Sequence, residues 1–143
     1  MPEDSKFTIV KMEFEITQKE MDKYDGISSS IKTWSVSMWA ALMGWSFQSS
    51  HKELLLVSFF GIIVFWMLDA VNKNFRQNYR KRRDAIEIAL QVYGSTGVWP
   101  EKFVTPQLPP YGVIHAFRRM FEWHIFLLYV PLAILALVVY FIS

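Results

Sequence analysis

Three apolar runs organise the chain: Trp34 to Phe47, Leu54 to Val71 and Ile125 to Ile142. Each approaches the roughly 17 to 25 residues that an α-helix, rising about 1.5 Å per residue, needs to cross a hydrocarbon core of about 30 Å. The first run is slightly short and contains Ser35, Ser37 and Ser46; the polar turn from Ser49 to Glu53 predicts that it inserts as a hairpin with the second. Neither the second nor the third run carries the charged stripe of a helix in a soluble bundle. Three spans are therefore expected rather than three buried helices of a soluble core.

The helical pattern that starts at Leu54 continues beyond its apolar run to about Tyr93, where Gly94 and Gly97 in "GSTG" supply a stop. About forty residues at about 1.5 Å each make a rod of about 60 Å, half of it outside a membrane. On that half Phe75, Tyr79, Ile86, Leu90 and Tyr93 fall on or near one face, a seam that needs a partner helix. Arg80 with Asp84, and Arg83 with Glu87, are one turn apart and spaced for surface pairing.

Before the first run, "KFTIVKMEFEIT" alternates Met12, Phe14 and Ile16 against Lys11, Glu13 and Glu15, which predicts a short half-buried strand. Its partner would be "EKFVT", Glu101 to Thr105, or a neighbouring subunit. Thr17 to Glu20 reads as a capping box that opens the next helix, weakened at Gly26 and the serines that follow. The connector "VWPEKFVTPQLPPYG" cannot continue a helix. Val113 to His124 then sets Ile114, Phe117, Met120 and Phe121 opposite Arg118, Arg119 and Glu122, as an interfacial helix feeding the last span. Pro131 predicts a kink in that span, and Trp123 and Tyr129 suit aromatic anchors near its start.

Composition agrees with a membrane solvent: 143 residues are 52% hydrophobic and 17% aromatic, with net charge +2. That is too apolar for a small soluble core and too weakly charged for disorder. Five Lys precede the first run, Lys52 alone lies in the hairpin turn, nine Lys and Arg lie between the second and third runs, and none follow. Cytoplasmic segments carry the excess of Lys and Arg, so the N-terminus is expected inside, the hairpin tip outside, the long middle segment inside and the C-terminus outside. The first thirty residues hold no apolar core segment, so no secretory signal is expected. The expected fold class is an all-α membrane protein with three transmembrane helices, the second extended into the cytoplasm, and a short N-terminal strand. Its parts would be a cytoplasmic strand and helix (1–30), a transmembrane hairpin (31–71), a cytoplasmic basic helix and connector (72–112), and an interfacial helix with the third span (113–143).

Enzyme chemistry and metal binding find little support. Cys is absent, and His51, His115 and His124 have neither the pairing nor the carboxylate neighbours of a metal site. Asp69 is the one acid inside an apolar span, and Lys73 at i+4 is its expected partner, ahead of a proton or ion role. A stripe of small or polar residues, Ser37, Ala40, Ala41, Gly44 and Gln48, runs along the first span. It suits close helix packing or, in an oligomer, the lining of a water-filled path. The basic cluster of Arg76, Arg80, Lys81, Arg82 and Arg83, interleaved with Phe75 and Tyr79, suits anionic lipid. It extends some 18 Å beyond the membrane edge by helix rise, past a Debye length of about 8 Å. Gathered by symmetry, Lys73, Arg76, Tyr79, Arg80, Arg82 and Arg83 would instead hold a phosphorylated ligand, with guanidinium forks on phosphates and rings for base stacking.

The segment "IKTWSVSMWAALMGW" followed by "FFGIIVFWMLDAVNKNFRQNYR" resembles the two-span segment of small bacterial membrane proteins, with a K-x-W entrance and an F-W-x-L-D-A exit. Size, hairpin plus third span, and cytoplasmic basic helix are similar to membrane effectors of nucleotide-controlled antiphage systems, such as the channel component of Hailong systems. The resemblance covers residues 31 to 80. It implies a homo-oligomeric inner-membrane channel, without cofactor, gated by a cytoplasmic nucleotide or short single-stranded DNA and associated with a nucleotidyltransferase partner, whose opening depolarises the infected cell. Ser37, Ala41, Gly44 and Gln48 would line its pore. The competing expectation is a non-conducting anchor or small subunit that docks a cytoplasmic partner through Phe75, Tyr79, Ile86 and Leu90.

Overall fold

A computed structural model of the chain describes residues 3–109, 118 and 120–142. Three helices carry the described fold: α1, Glu3–Ser49; α2, Glu53–Thr96; and α3, Trp123–Ile142. The chain divides into two compact units, one of Met1–Asp25 with Phe75–Gly112 and the other of Gly26–Asn74 with Val113–Ser143.

No strand forms among the described residues, and the N-terminal segment expected to be one lies inside α1. The reason is the longer-range pattern. Val10, Thr17 and Met21 are all buried, at spacings of seven and four that only a helix places on one face. The alternation of Met12, Phe14 and Ile16 spans three apolar residues, and the helix leaves Met12 and Ile16 exposed. Thr17 is not a cap: its hydroxyl donates to the Glu13 carbonyl at 2.7 Å within the running helix. "EKFVT" is likewise no strand, since Phe103 N closes a turn onto the Pro100 carbonyl at 3.0 Å.

In the first unit the seam on α2 finds its partner within the same chain. Tyr24 of α1 stacks on Phe75 at 6.0 Å and tilts against Tyr79 at 5.7 Å, while Ile86 and Ala89 are buried. Farther along, Phe7 meets Tyr93, Tyr93 stacks on Trp99 at 4.3 Å, and Trp99 stacks on Phe103 at 5.8 Å. The Lys6 ammonium covers the Trp99 ring at 5.3 Å. α2 runs through Gly94 and stops after Thr96. Gly97 takes φ 70°, a left-handed conformation that glycine adopts without steric cost, and its N–H bonds the Tyr93 carbonyl at 2.8 Å.

The second unit packs around Ile62, Ile125 and Tyr129, flanked by Trp39, Phe65, Trp66 and Leu132. Two indoles tie α3 and its approach to the long helices: Trp39 Nε1 donates to the Leu132 carbonyl at 3.2 Å, and Trp66 Nε1 to the Met120 carbonyl at 2.9 Å. Pro131 sits inside α3 and leaves the Leu127 carbonyl without its intrahelical donor. At the hairpin tip Ser50 has φ 57°, and Ser46 caps the turn by donating to the His51 carbonyl at 3.1 Å.

Two described helices, α2 and α3, are long and apolar enough to cross a membrane, where three were expected. Only 28% and 22% of their apolar windows is buried within the chain, so most of that surface faces outward rather than into a core. α1 has ample length, 47 residues. Ser35, Ser37, Ser46 and Gln48 dilute its apolar run.

Candidate functional site

The six expected ligand-binding residues are divided between the two units. Lys73 falls in the second unit and the other five in the first. Arg76 pairs with Asp25 at 2.6 Å, Tyr79 lies half-buried against Tyr24, and Arg83 turns back onto its neighbour Asp84 at 2.8 Å. Arg80 is exposed with Lys81.

Arg82 makes three side-chain hydrogen bonds in the first unit. Its Nε donates to Glu13 Oε1 at 2.7 Å, Nη2 to the Val104 carbonyl at 2.7 Å and Nη1 to Gln107 Oε1 at 3.3 Å, and its guanidinium covers Phe103 at 5.3 Å. Glu13 also accepts from Thr105 Oγ1 at 2.5 Å and from the Gln107 amide at 3.1 Å. The two side chains are only 9% and 11% exposed. Burial alone would raise the Glu13 pKa. Hydrogen bonds from Arg82, Thr105 and Gln107, with the Arg82 charge, outweigh it and hold the carboxyl below its ordinary value of 4.5. This pair clamps the connector, at Phe103 to Gln107, onto α1 and α2. Beside it opens an apolar groove of about 790 Å³, lined by Ile9, Met12, Ile16, Tyr79, Leu108 and Pro109 among others.

In the second unit Asp69 is fully buried. Its carboxyl is bound across helices: Ser28 Oγ of α1 donates to Oδ1 at 2.5 Å, and the Tyr129 hydroxyl of α3 to Oδ2 at 3.4 Å. The Ser35 hydroxyl approaches the same phenol. These bonds take the place of the expected link to Lys73. One acid thus joins all three helices. Eleven residues earlier on α2, hence on the same face, Ser58 Oγ is buried without a hydrogen-bond partner among the described residues.

Among the described residues, nothing covers the stripe on α1. Ser37, Ala40, Ala41, Gly44 and Gln48 are all exposed, and a Cβ built on Gly44 would meet no atom within 4 Å. Ser35 and Ser46 are instead buried and bonded to the carbonyls of Lys32 and His51. Among the described residues no three His, Cys, Asp or Glu side chains converge as a metal ion would require.

Sequence reasoning found Asp69 but missed its partners, and it read Arg82 as a ligand contact. Glu13 and Arg82 are 69 residues apart, and Asp69 is 41 from Ser28 and 60 from Tyr129. No spacing rule reaches across such separations. The signal that was present is the residue type: an acid in an apolar run needs partners of some kind. No family model matches the chain, and no curated protein or solved structure matches it.

Proposed function

We propose that this chain forms a homo-oligomeric ion path in the bacterial inner membrane, with α1 lining it and the N-terminus cytoplasmic. α1, α2 and α3 are then three spans, and the C-terminus lies outside. The uncovered stripe from Ser37 to Gln48 carries the reading. In lipid, a serine and a glutamine on an outward face lose water without gaining partners; copies of the same helix facing a wet lumen remove that penalty. One chain with three spans cannot enclose a lumen, so the reading requires several copies.

A cytoplasmic anionic nucleotide or short single-stranded DNA regulates the path in this proposal, delivered by a nucleotidyltransferase partner. Arg80 and Lys81 are the exposed cations left to receive it, with Arg83 beside them. Arg82 and Arg76 serve the fold. α2 is continuous from Glu53 to Thr96 and links the regulated end to the spans. The defence role, depolarisation of an infected cell, rests on the resemblance of residues 31 to 80 to the Hailong-type channel component.

The test is current across a planar bilayer holding the purified protein, with short single-stranded DNA or cyclic nucleotides on the cytoplasmic side. Discrete currents that change with one of these anions, and that disappear in Gly44→Leu, are expected. Silence from protein shown to be inserted would favour a second reading, a non-conducting anchor. One observation supports that alternative. The apolar groove beside Tyr79 leaves Met12, Ile16 and Leu108 exposed, whereas the seam through Phe75 and Ile86 is already filled by α1.

A further inference from the structure

A buried acid inside an apolar span requires an account of its charge. Desolvating an isolated carboxylate is far costlier than any single hydrogen bond can repay. Asp69 is fully buried, and both of its bonds come from hydroxyls, which contribute dipoles but no positive charge. The charged side chains one turn from these residues are Asp25 and Lys32, either side of Ser28 on α1, and Lys73, beyond Asp69 on α2; Asp25 is paired with Arg76, and both lysines are half-buried. From α3 the group facing it is Tyr129, itself fully buried, between the apolar Ile125 and Leu132.

The geometry is uneven in an informative way. Ser28 Oγ is close to its carboxyl oxygen, at 2.5 Å, whereas the Tyr129 hydroxyl stands 3.4 Å from the other. A relaxed O–H···O bond is about 2.7 to 2.8 Å long. Oδ2 is therefore the less engaged oxygen of the carboxyl, with the hydroxyls of Tyr129, Ser28 and Ser35 at the same junction. All of these donors are hard oxygens, and a single acid matches a single positive charge.

We infer that Asp69, with Tyr129, Ser28 and Ser35, is a binding site for a small monovalent cation, a proton or Na⁺, at the junction of α1, α2 and α3. Occupied, the site cancels the buried charge and draws the phenol of α3 toward the carboxyl of α2. Empty, it leaves a buried carboxylate held by two hydroxyls alone and favours separation of the three helices. The inference goes beyond conduction through the α1 stripe and needs neither a regulator nor a current.

Infrared difference spectroscopy on the full chain in detergent micelles reads the carboxyl directly. One arm exchanges Na⁺ for the bulky cation N-methylglucamine at fixed ionic strength and pH; the other lowers the pH without Na⁺. Subtracting Asp69→Asn removes the bands of every other acid. A carboxylate band that shifts with Na⁺ and vanishes in Asp69→Asn identifies the alkali cation. A protonated-carboxyl band that appears only in the acid arm, and is absent from the variant, identifies the proton. Should Asp69→Asn not fold, Tyr129→Phe serves in its place: loss of one ligand oxygen moves the Na⁺ midpoint to about tenfold higher concentration, whereas the proton midpoint moves to lower proton concentration, because the phenol donates to the charged carboxyl. Wild-type spectra without an Asp69 band in either arm, or a midpoint unmoved in Tyr129→Phe, would overturn the assignment.

Discussion

The two units solve the same problem, holding α1 against α2, with different chemistry. The first uses opposite charges and aromatic faces: Arg82 with Glu13, Arg76 with Asp25, and the rings of Tyr24, Phe75, Tyr93 and Trp99. The second uses hydroxyls, indole N–H groups and one acid: Ser28 and Tyr129 on Asp69, and Trp39 and Trp66 on the carbonyls of Leu132 and Met120. The difference follows the solvent each unit would face. Where water screens the periphery, a near-buried ion pair is affordable when every lone pair finds a donor. In a lipid-facing span the cheaper cross-links are neutral groups, individually worth about 1 kcal/mol. Asp69 is the exception to this division, and an exception at such a place marks function more often than stability.

The sharpest way to break the comparison is to remove one half of the ion pair. Arg82→Ala should leave Glu13 buried with a charge and no fork, costing about 3 to 5 kcal/mol of stability in the first unit. Hydrogen exchange should rise through α1 before Asp25 and through residues 75–96, with little change around Trp39 and Trp66. Equal loosening in both units would remove the distinction.

Acid should act on the same unit, more weakly. Because the folded pKa of Glu13 lies below its ordinary value of 4.5, its contribution is fully present above that value and is lost as pH falls through the lowered one. A thermal unfolding series from pH 7 downward should therefore show a decline below about pH 4.5 that Glu13→Gln lacks. A parallel decline in the variant would assign the acid sensitivity elsewhere.

Trp39→Phe keeps most of the ring volume and deletes the bond to the Leu132 carbonyl. The expected loss is about 1 kcal/mol, confined to the second unit, as read by exchange in α3. The smallest effect belongs to Arg80→Ala with Lys81→Ala. Both side chains are exposed, so stability should change by no more than about 0.5 kcal/mol. Binding of short single-stranded DNA should nevertheless weaken and its salt dependence flatten. Unchanged binding across a salt series would exclude these two cations as the receiving site.

Long helices were legible because their signals are local and repeated. The apolar runs in α2 and α3, the seam from Phe75 to Tyr93 and the stop at Gly97 each depend on neighbours within a turn or two. The N-terminal strand was misread from the same kind of signal taken too short: Met12, Phe14 and Ile16 alternate, but Val10, Thr17 and Met21 decide which face is buried. What stayed illegible is pairing at a distance. The cations near residue 80 look alike in sequence, and only the fold distinguishes Arg82, committed to Glu13 and the Val104 carbonyl, from Arg80, which faces solvent. The same holds for Asp69, whose next-turn neighbour Lys73 was the obvious local partner while Ser28 and Tyr129 lay far along the chain.

The stacked rings at the end of α2 also provide an optical handle. Of the six tryptophans in the chain, Trp34, Trp39, Trp45, Trp66 and Trp123 fall in the second unit and Trp99 in the first. A variant with those five changed to Phe would carry a single emitter, pressed against Tyr93 and covered by the Lys6 ammonium. Its fluorescence would report whether the connector is clamped or released, in intact vesicles and in real time.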